Sequence, residues 1–433
     1  MILKVYWTVY RVARERRKRQ MMGEKPRLVW GPVAIINNKY YSQAMAAAGY
    51  CSKTYMEQYY NITKKADFDM YFTDFAPKAP KFFALDVFYN QYAAGYSAFC
   101  YCVKNFDVFH HPFSGGFLQY TRLKRREAWL LKKAGCKVVT LGYGADFFRY
   151  SKVIDASWLH GLNAHYPAFA RNEDEIERTV SYWRKHSDCI INGLHIDQLG
   201  RWDVLPFRNE VIDLNAWRPR ENYSDSDGLN GPVTIVHAPN HRVIKGTEFL
   251  LKAVDELKKE GLQLNLILLE KRPNDEVKSI LHEQADIFFD QSVLGYALSA
   301  IEGFASGLPV MTNLEIEEYT RVFRRYSFLN ECPALSTSNE SIKSNLRILV
   351  RNPGFRRQLG EAGRKYAEKY HSYATAANIF GKIYDKIWHG KDQDLINIYH
   401  PLLSTSYNNS LPLIEHPLVE NKIPRELMET LNK

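Results

Sequence analysis

Hydrophobic and polar positions along the chain fall into blocks with different periods. In the opening block Ile2, Leu3, Val5, Tyr6, Val9, Val12 and Ala13 recur at helical spacing, and Trp7 and Tyr10 add aromatic bulk. Arg11, Arg14 and the run Arg16-Arg17-Lys18-Arg19 follow. From Arg27 onward, short β-rich apolar runs alternate with amphipathic helical stretches. The runs lie at 28–36, 106–109, 137–141, 189–191 and 210–212, with helical patterns such as 122–134 and 174–186 between them. Residues 222–232 are polar and close on the turn formers Asn230, Gly231 and Pro232, which marks a linker. Beyond it strands are predicted near 233–237, 264–269, 287–289 and 309–312, and helices at 247–259, 275–284 and 297–306. Two more helical patterns, 355–369 and 374–388, precede a stretch with four prolines and little periodicity. Two successive β/α series joined by a linker predict an α/β chain of two facing, doubly wound parallel-sheet domains. The expected division is a basic amphipathic segment at 1–26, a first domain at 27–217, a linker at 218–232, a second domain at 233–388 and an irregular tail at 389–433.

Composition narrows the class. With 433 residues, 45% hydrophobic and 24% charged, the chain is ordinary for a soluble protein, which excludes collagen-like and wholly disordered readings. No apolar run reaches the roughly 18 residues a spanning helix needs. The opening apolar residues are broken by Lys4 and Arg11, which is not the shape of a signal peptide. Cys51, Cys100, Cys102, Cys136, Cys189 and Cys332 are scattered, without a C-x-x-C pair or a histidine at zinc spacing, so a reducing, cytoplasmic setting is expected. Formal net charge is +10, but the first 27 residues hold nine Lys and Arg against Glu15 and Glu24. That segment alone carries +7 and leaves about +3 for all the rest, so the chain lacks the basic skin of a nucleic-acid binder. The segment itself has three readings: a helix in the headgroup layer of an anionic membrane, a helix docked on its own core, or a nucleic-acid contact.

In open parallel sheets, ligands gather at the carboxyl ends of the strands. The strand 233–237 ends in Ala238-Pro-Asn-His-Arg242-Val-Ile-Lys245-Gly246-Thr247-Glu248 and runs straight into a helix. Two cations and a glycine beside a helix N-terminus suit a pyrophosphate, though cations and glycine also open ordinary surface loops. Further on, Glu302 lies among Ile301, Phe304 and Ala305 on an apolar helix face, where a carboxylate is costly unless satisfied by a ribose diol or by a core contact. In the first domain, His110 and His111 end a strand before the glycine loop Gly115-Gly116, and Asp146 follows another strand end. His110 is either a proton-handling group or a histidine satisfied in the core; Asp146 is either a cleft residue or a helix cap.

Taken together, the stretches 237–254, 266–277 and 285–313, with Gly363-Arg-Lys-Tyr-Ala-Glu-Lys-Tyr-His-Ser372 as closing helix, resemble the family 4 type of GT-B glycosyltransferases, over roughly 232–388 and more loosely over 27–217. The resemblance implies two Rossmann-like domains and a retaining transfer from a nucleotide-diphosphate sugar, the co-substrate, with no other cofactor. No D-x-D stands in a setting that suggests a metal-held diphosphate and Arg242 and Lys245 could neutralise it, so metal independence is expected. Arg242 and Lys245 would grip the donor diphosphate. Glu302 matches the second glutamate of the E-x7-E motif and would hold the ribose; Glu270 and Lys271 would line the nucleobase pocket. Gly295 and Tyr296 would pass beside the donor sugar, and His110 would lie near it. Leu294 stands where the motif's first glutamate belongs; Asp290-Gln291 just upstream is similar to a sub-branch with a D-Q strand end, which makes Asp290 a further candidate. The basic N-terminal helix points to a membrane-linked acceptor, a glycan or lipid-linked glycan in surface polysaccharide or glycoconjugate biosynthesis, reached from the inner face of a membrane. The rival readings are a nucleotide-sugar-binding protein with impaired catalysis and a membrane-associated scaffold.

Overall fold

The computed structural model describes all residues except 60–63, 76–82, 145, 193–198, 207–209, 296, 401, 405–409 and 432–433, and the side chains of 83–91 and 317–319. The chain divides into two compact units, each assembled from three stretches. Unit 1 comprises 1–149, 171–209 and 373–403; unit 2 comprises 150–170, 210–372 and 404–433.

Unit 1 holds a six-stranded sheet in the order β3-β2-β1-β4-β5-β6. Its strands are β1 (Leu28–Trp30), β2 (Ser52–Met56), β3 (Met70–Tyr71), β4 (Val108–His111), β5 (Lys137–Leu141) and β6 (Cys189–Ile191), and every neighbouring pair is parallel. Parallel strands need crossovers, which here are helices such as Ile36–Ala47, Phe83–Asn105, Glu127–Lys133 and Glu173–His186. The apolar run at 28–36 is not one strand. It stops at Trp30, because Gly31-Pro32 withholds an N–H, and Ile36 already opens a helix that contains Asn37 and Asn38.

The N-terminal helix Ile2–Met21 docks on unit 1 through Val5, Thr8, Val9 and Arg16. Buried Arg16 donates to Asp107 Oδ1 at 2.9 Å and to the carbonyls of Ala134, Val103 and Phe106. Arg19 and Arg27 bond the same Asp107. Own-core packing therefore occupies one face of this helix.

Unit 2 holds a five-stranded parallel sheet in the order β11-β10-β9-β7-β8. The strands are β7 (Val233–His237), β8 (Leu264–Leu268), β9 (Ile287–Gln291), β10 (Val310–Thr312) and β11 (Leu335–Ser336). Its core packs Val233, Ile235, Ile287 and Phe289 against the apolar faces of the helices Thr247–Lys259 and Ile342–Arg351. The stretch 404–433 is less irregular than its prolines suggest: it ends in a helix, Arg425–Leu431, and Ile423, Leu427 and Leu431 pack on this core.

Several allocations differ from the sequence-based division, and the first is that residues 210–217, expected in the first domain, and the expected linker 218–232 cluster with unit 2. Residues 150–170, with the helix Ala156–His165, cluster with unit 2. The helix Tyr373–Ile387 clusters with unit 1, where it packs on the helix Ile36–Ala47. The tail divides at 403, its first part going with unit 1 and the remainder with unit 2.

Candidate functional site

In unit 2 the predicted residues gather at the carboxyl ends of β7, β8 and β9. β7 leaves the sheet at His237, a short helix Arg242–Lys245 follows, and Gly246 turns the chain into the helix Thr247–Lys259. Gly246 has φ +74°, and a Cβ there would overlap the Ser292 hydroxyl, so only glycine fits. That glycine caps the helix without any side-chain hydrogen bond, and the first turn carries the acid Glu248, to which Arg242 pairs. His237 fixes the turn from below. Its Nδ1 faces the Phe289 carbonyl at 2.9 Å and its Nε2 the Thr247 hydroxyl at 2.9 Å; burial lowers its pKa to about 4, so it works as a neutral spacer.

Arg242 is partly exposed and pairs with Glu248 at 2.7 Å and with Glu270 at 3.2 Å, which joins the loops after β7 and β8. Lys271 beside Glu270 is exposed and holds a positive φ of 54°. Lys245 is in a different position from the one expected of a diphosphate ligand. It is buried, and its Nζ lies 2.8 Å from Asp290 Oδ1 and 3.1 Å from the Ser299 hydroxyl. Asp290 also accepts from Ser299, Thr312 and the Ala297 N–H. Burial alone would raise the Asp290 carboxyl; the Lys245 charge and these hydrogen bonds outweigh it and hold it below the ordinary carboxylate range. Asp290 is thus the internal counter-ion of Lys245, with all its capacity used beneath the surface, and not a replacement for the glutamate absent at Leu294.

Glu302 lies on the helix Leu298–Ala305, half-buried, and its nearest donor is Asn274 Nδ2 at 3.5 Å. Burial raises its carboxyl to about 7, an under-satisfied acceptor that a pair of hydroxyl groups would complete. Gly295 is buried and its carbonyl accepts from the Gln291 side chain; Tyr296 lies outside the described residues.

Two residues of unit 1 have structural roles. His110 is fully buried, stacked on Trp30 with ring centroids 3.6 Å apart. Its Nδ1 faces the Val29 carbonyl at 3.0 Å and its Nε2 the Tyr384 hydroxyl at 2.9 Å. Burial lowers its pKa to about 3. With both nitrogens engaged and the proton affinity this low, it has neither an open atom nor the basicity for general-base work; the core reading holds. Asp146 accepts from the N–H groups of Phe113, Tyr143 and Gly144, and so brackets the loops after β4 and β5. Burial raises it to about 7.

Sequence reasoning missed a cluster on the other side of Arg242. His241 Nδ1 is 2.6 Å from His165 Nε2, and its Nε2 meets the Tyr166 hydroxyl, so the end of the helix Ala156–His165 steadies the loop that carries Arg242. Burial lowers His241 to about 4. His165 and His241 are 76 residues apart, and no local pattern connects them. Among the described residues no group of three or more His, Cys, Asp or Glu side chains is arranged to hold a metal ion.

No family model matches this sequence, and no curated protein matches it. Solved structures do. The catalytic domain of starch synthase IV from Arabidopsis thaliana, bound to ADP and acarbose, has a TM-score of 0.53 at 12% identity, over 84% of this chain and 100% of that one. An S. aureus MnaA–UDP structure gives 0.46 at 10% identity, over 85% and 99%. A Thermobaculum terrenum O-GlcNAc transferase mutant gives 0.41 at 13%, over 84% and 68%. With two parallel-sheet, Rossmann-like units and this likeness, the chain has an α/β fold of the GT-B type.

Proposed function

We propose that the chain is a glycosyltransferase of the retaining, family 4 type. It takes a sugar, a hexose on this reading, from a nucleotide diphosphate and places it on a glycan or lipid-linked acceptor in surface polysaccharide or glycoconjugate biosynthesis, at the cytoplasmic face of a membrane. The observation that carries this reading is the turn after β7. An uncapped helix N-terminus, a turn that only glycine fits, and the partly exposed guanidinium of Arg242 converge there, and Glu302 lies on the helix Leu298–Ala305 that follows β9.

In this reading the diphosphate takes the helix N–H groups and draws Arg242 away from Glu248 and Glu270. Exposed ion pairs are weak in water, so the exchange costs little. Lys245 is a positioning residue: through Asp290 it ties the short helix to β9. Glu302 accepts from the ribose hydroxyls, and Glu270 and Lys271 border the base. The bond between the anomeric carbon and the diphosphate oxygen breaks with its electron pair leaving on the diphosphate. The acceptor hydroxyl oxygen bonds to the same face of that carbon, and its proton passes to the departing phosphate. Arg242 and the helix dipole stabilise the leaving charge, so turnover is metal-independent.

A thermal-shift screen against UDP, GDP, ADP, CMP and their sugar conjugates tests the donor site. One diphosphate is expected to raise the melting temperature with concentration, and Arg242→Ala and Glu302→Ala are expected to abolish the rise. Release of free nucleoside diphosphate from the matching sugar conjugate, unchanged by a chelator, tests transfer. No shift with any of these ligands overturns the reading.

A further inference from the structure

The helix Ile2–Met21 has a second face. Opposite the docked side chains Val5, Val9 and Arg16, its outer surface shows Leu3, Trp7, Tyr10 and Met21, which are 85%, 55%, 83% and 88% exposed. Residues 3, 7, 10, 14 and 21 fall within one narrow arc at about 100° per residue. Leu3 and Tyr10 are thus held open to water by a helix whose other side is fixed to the protein. Beside this arc Trp129, half-exposed on the helix Glu127–Lys133, approaches Tyr6 with ring centroids 6.2 Å apart, and the two helices border an open groove.

The charge on this surface is of one sign. Of the nine cations in the first 27 residues, Arg16, Arg19 and Arg27 are taken by Asp107, and Lys25 bonds the Ala48 carbonyl. Lys4, Arg11, Arg14, Arg17 and Lys18 remain, all exposed, and among the described residues none of them pairs with a carboxylate. Lys133 joins them at the edge of the groove. Glu15 is the single acid among the exposed residues of the helix. Arg11 stacks over Trp7 at 4.4 Å and Lys133 over Trp129 at 5.7 Å, so each indole already carries a cation at its face.

We propose that this surface docks unit 1 on an anionic lipid bilayer. Tryptophan, tyrosine and a cationic flank match the headgroup layer, where an apolar ring and a polar edge are both satisfied. Leu3 and Met21 would gain nothing against nucleic acid phosphates but enter the acyl boundary. A second copy of the same face would set five cations against five, which disfavours self-association. Because Val5, Thr8, Val9 and Arg16 dock one side of the helix on the protein, the helix lies in the plane of the membrane and does not span it; among the described residues no helix is long and apolar enough to cross one. The inference rests on exposure and charge in unit 1 and is independent of the donor site in unit 2.

Flotation of the full chain with vesicles tests it, using phosphatidylcholine alone and phosphatidylcholine with one-third phosphatidylglycerol. Binding is expected to the anionic vesicles only, with a blue shift of tryptophan emission, and is expected to weaken as salt rises. Replacing Arg14 or Arg17 by Gln should weaken binding about fivefold each. Trp7→Ser with Tyr10→Ser should abolish it while leaving the melting temperature unchanged, because neither side chain is part of the core. Failure to float with anionic vesicles at low salt, or equal flotation of the double variant, overturns the proposal. So does self-association or nucleic-acid retention that disappears in the double variant, which would assign the surface to that partner. No nucleotide enters this experiment, so a failed donor site leaves its outcome intact.

Discussion

Glu302 is followed by Gly303, where a Cβ would press on Phe288 and Val310, so the helix lies unusually close to β9 and β10. The neighbouring Glu302 carboxylate is half-buried, and burial raises it to about 7. Because the folded value exceeds the unfolded value of about 4.3, this group's contribution to stability is complete below that lower value and is lost as pH rises through about 7. A ribose that donates to the carboxylate favours the ionised form. Nucleoside-diphosphate affinity is therefore expected to rise as pH rises through about 7, and Glu302→Gln is expected to flatten that profile and weaken binding roughly 10- to 100-fold. Titration calorimetry on either side of pH 7 measures both; a flat profile in the parent chain would assign Glu302 to packing. The apolar neighbours of Glu302 were legible from helical spacing alone. The partners of Lys245 and His110 were not. Asp290 is 45 residues from Lys245, and only a sheet order that sets β9 beside β7 brings the pair together. Tyr384 is 274 residues from His110.

Among the elements, the N-terminal helix shows how a charge run is divided by geometry. In Arg16-Arg17-Lys18-Arg19 the outer two are three apart and share a face, which brings both to Asp107, while the inner two point to solvent. The sequence shows the run but not its buried acceptor Asp107, so membrane and own-core readings looked like rivals, whereas the helix has one docked face and one exposed face. Burial by itself would raise Asp107, but Arg27 and Arg16 outweigh it and hold the carboxyl low. With the folded value depressed, the stabilisation is present above the unfolded value of about 3.9 and is lost as pH falls through the folded one. Asp107→Asn leaves Arg16 buried without its counter-ion, a change that costs about 3–5 kcal/mol in comparable buried pairs. A lowered melting temperature and faster proteolysis within residues 1–26 are the expected readouts; an unchanged melt would show that the carbonyls around Arg16 suffice.

On the scale of the whole molecule, the alternation of strands and helices was enough to read two parallel-sheet domains, whereas the stretch 222–232, read as a linker from its turn formers, lies inside unit 2. Allocation of later segments was not, because an amphipathic pattern shows that a helix has a buried face without showing which sheet lies under it. The helix Tyr373–Ile387 is the clearest case: it follows unit 2 in sequence yet sends Phe380 and Tyr384 against Trp30 and His110 of unit 1. A fragment ending at 217 is therefore expected to lack a cooperative melt, and fusing residues 373–403 to it through a flexible linker is expected to restore one. A cooperative melt of the short fragment alone would show that the first sheet is complete without them.

That same returning helix sets a schedule for the cell. Translation delivers β6 about 180 residues before it delivers Tyr373, an interval of roughly ten to forty seconds at ordinary elongation rates. Through that interval the nascent first unit stands with Trp30 and its aromatic neighbours uncovered while the second unit is still being made. The order of synthesis thus leaves the first unit open until residues 373–403 emerge, and the second unit receives its own last segment, 404–433, only after that.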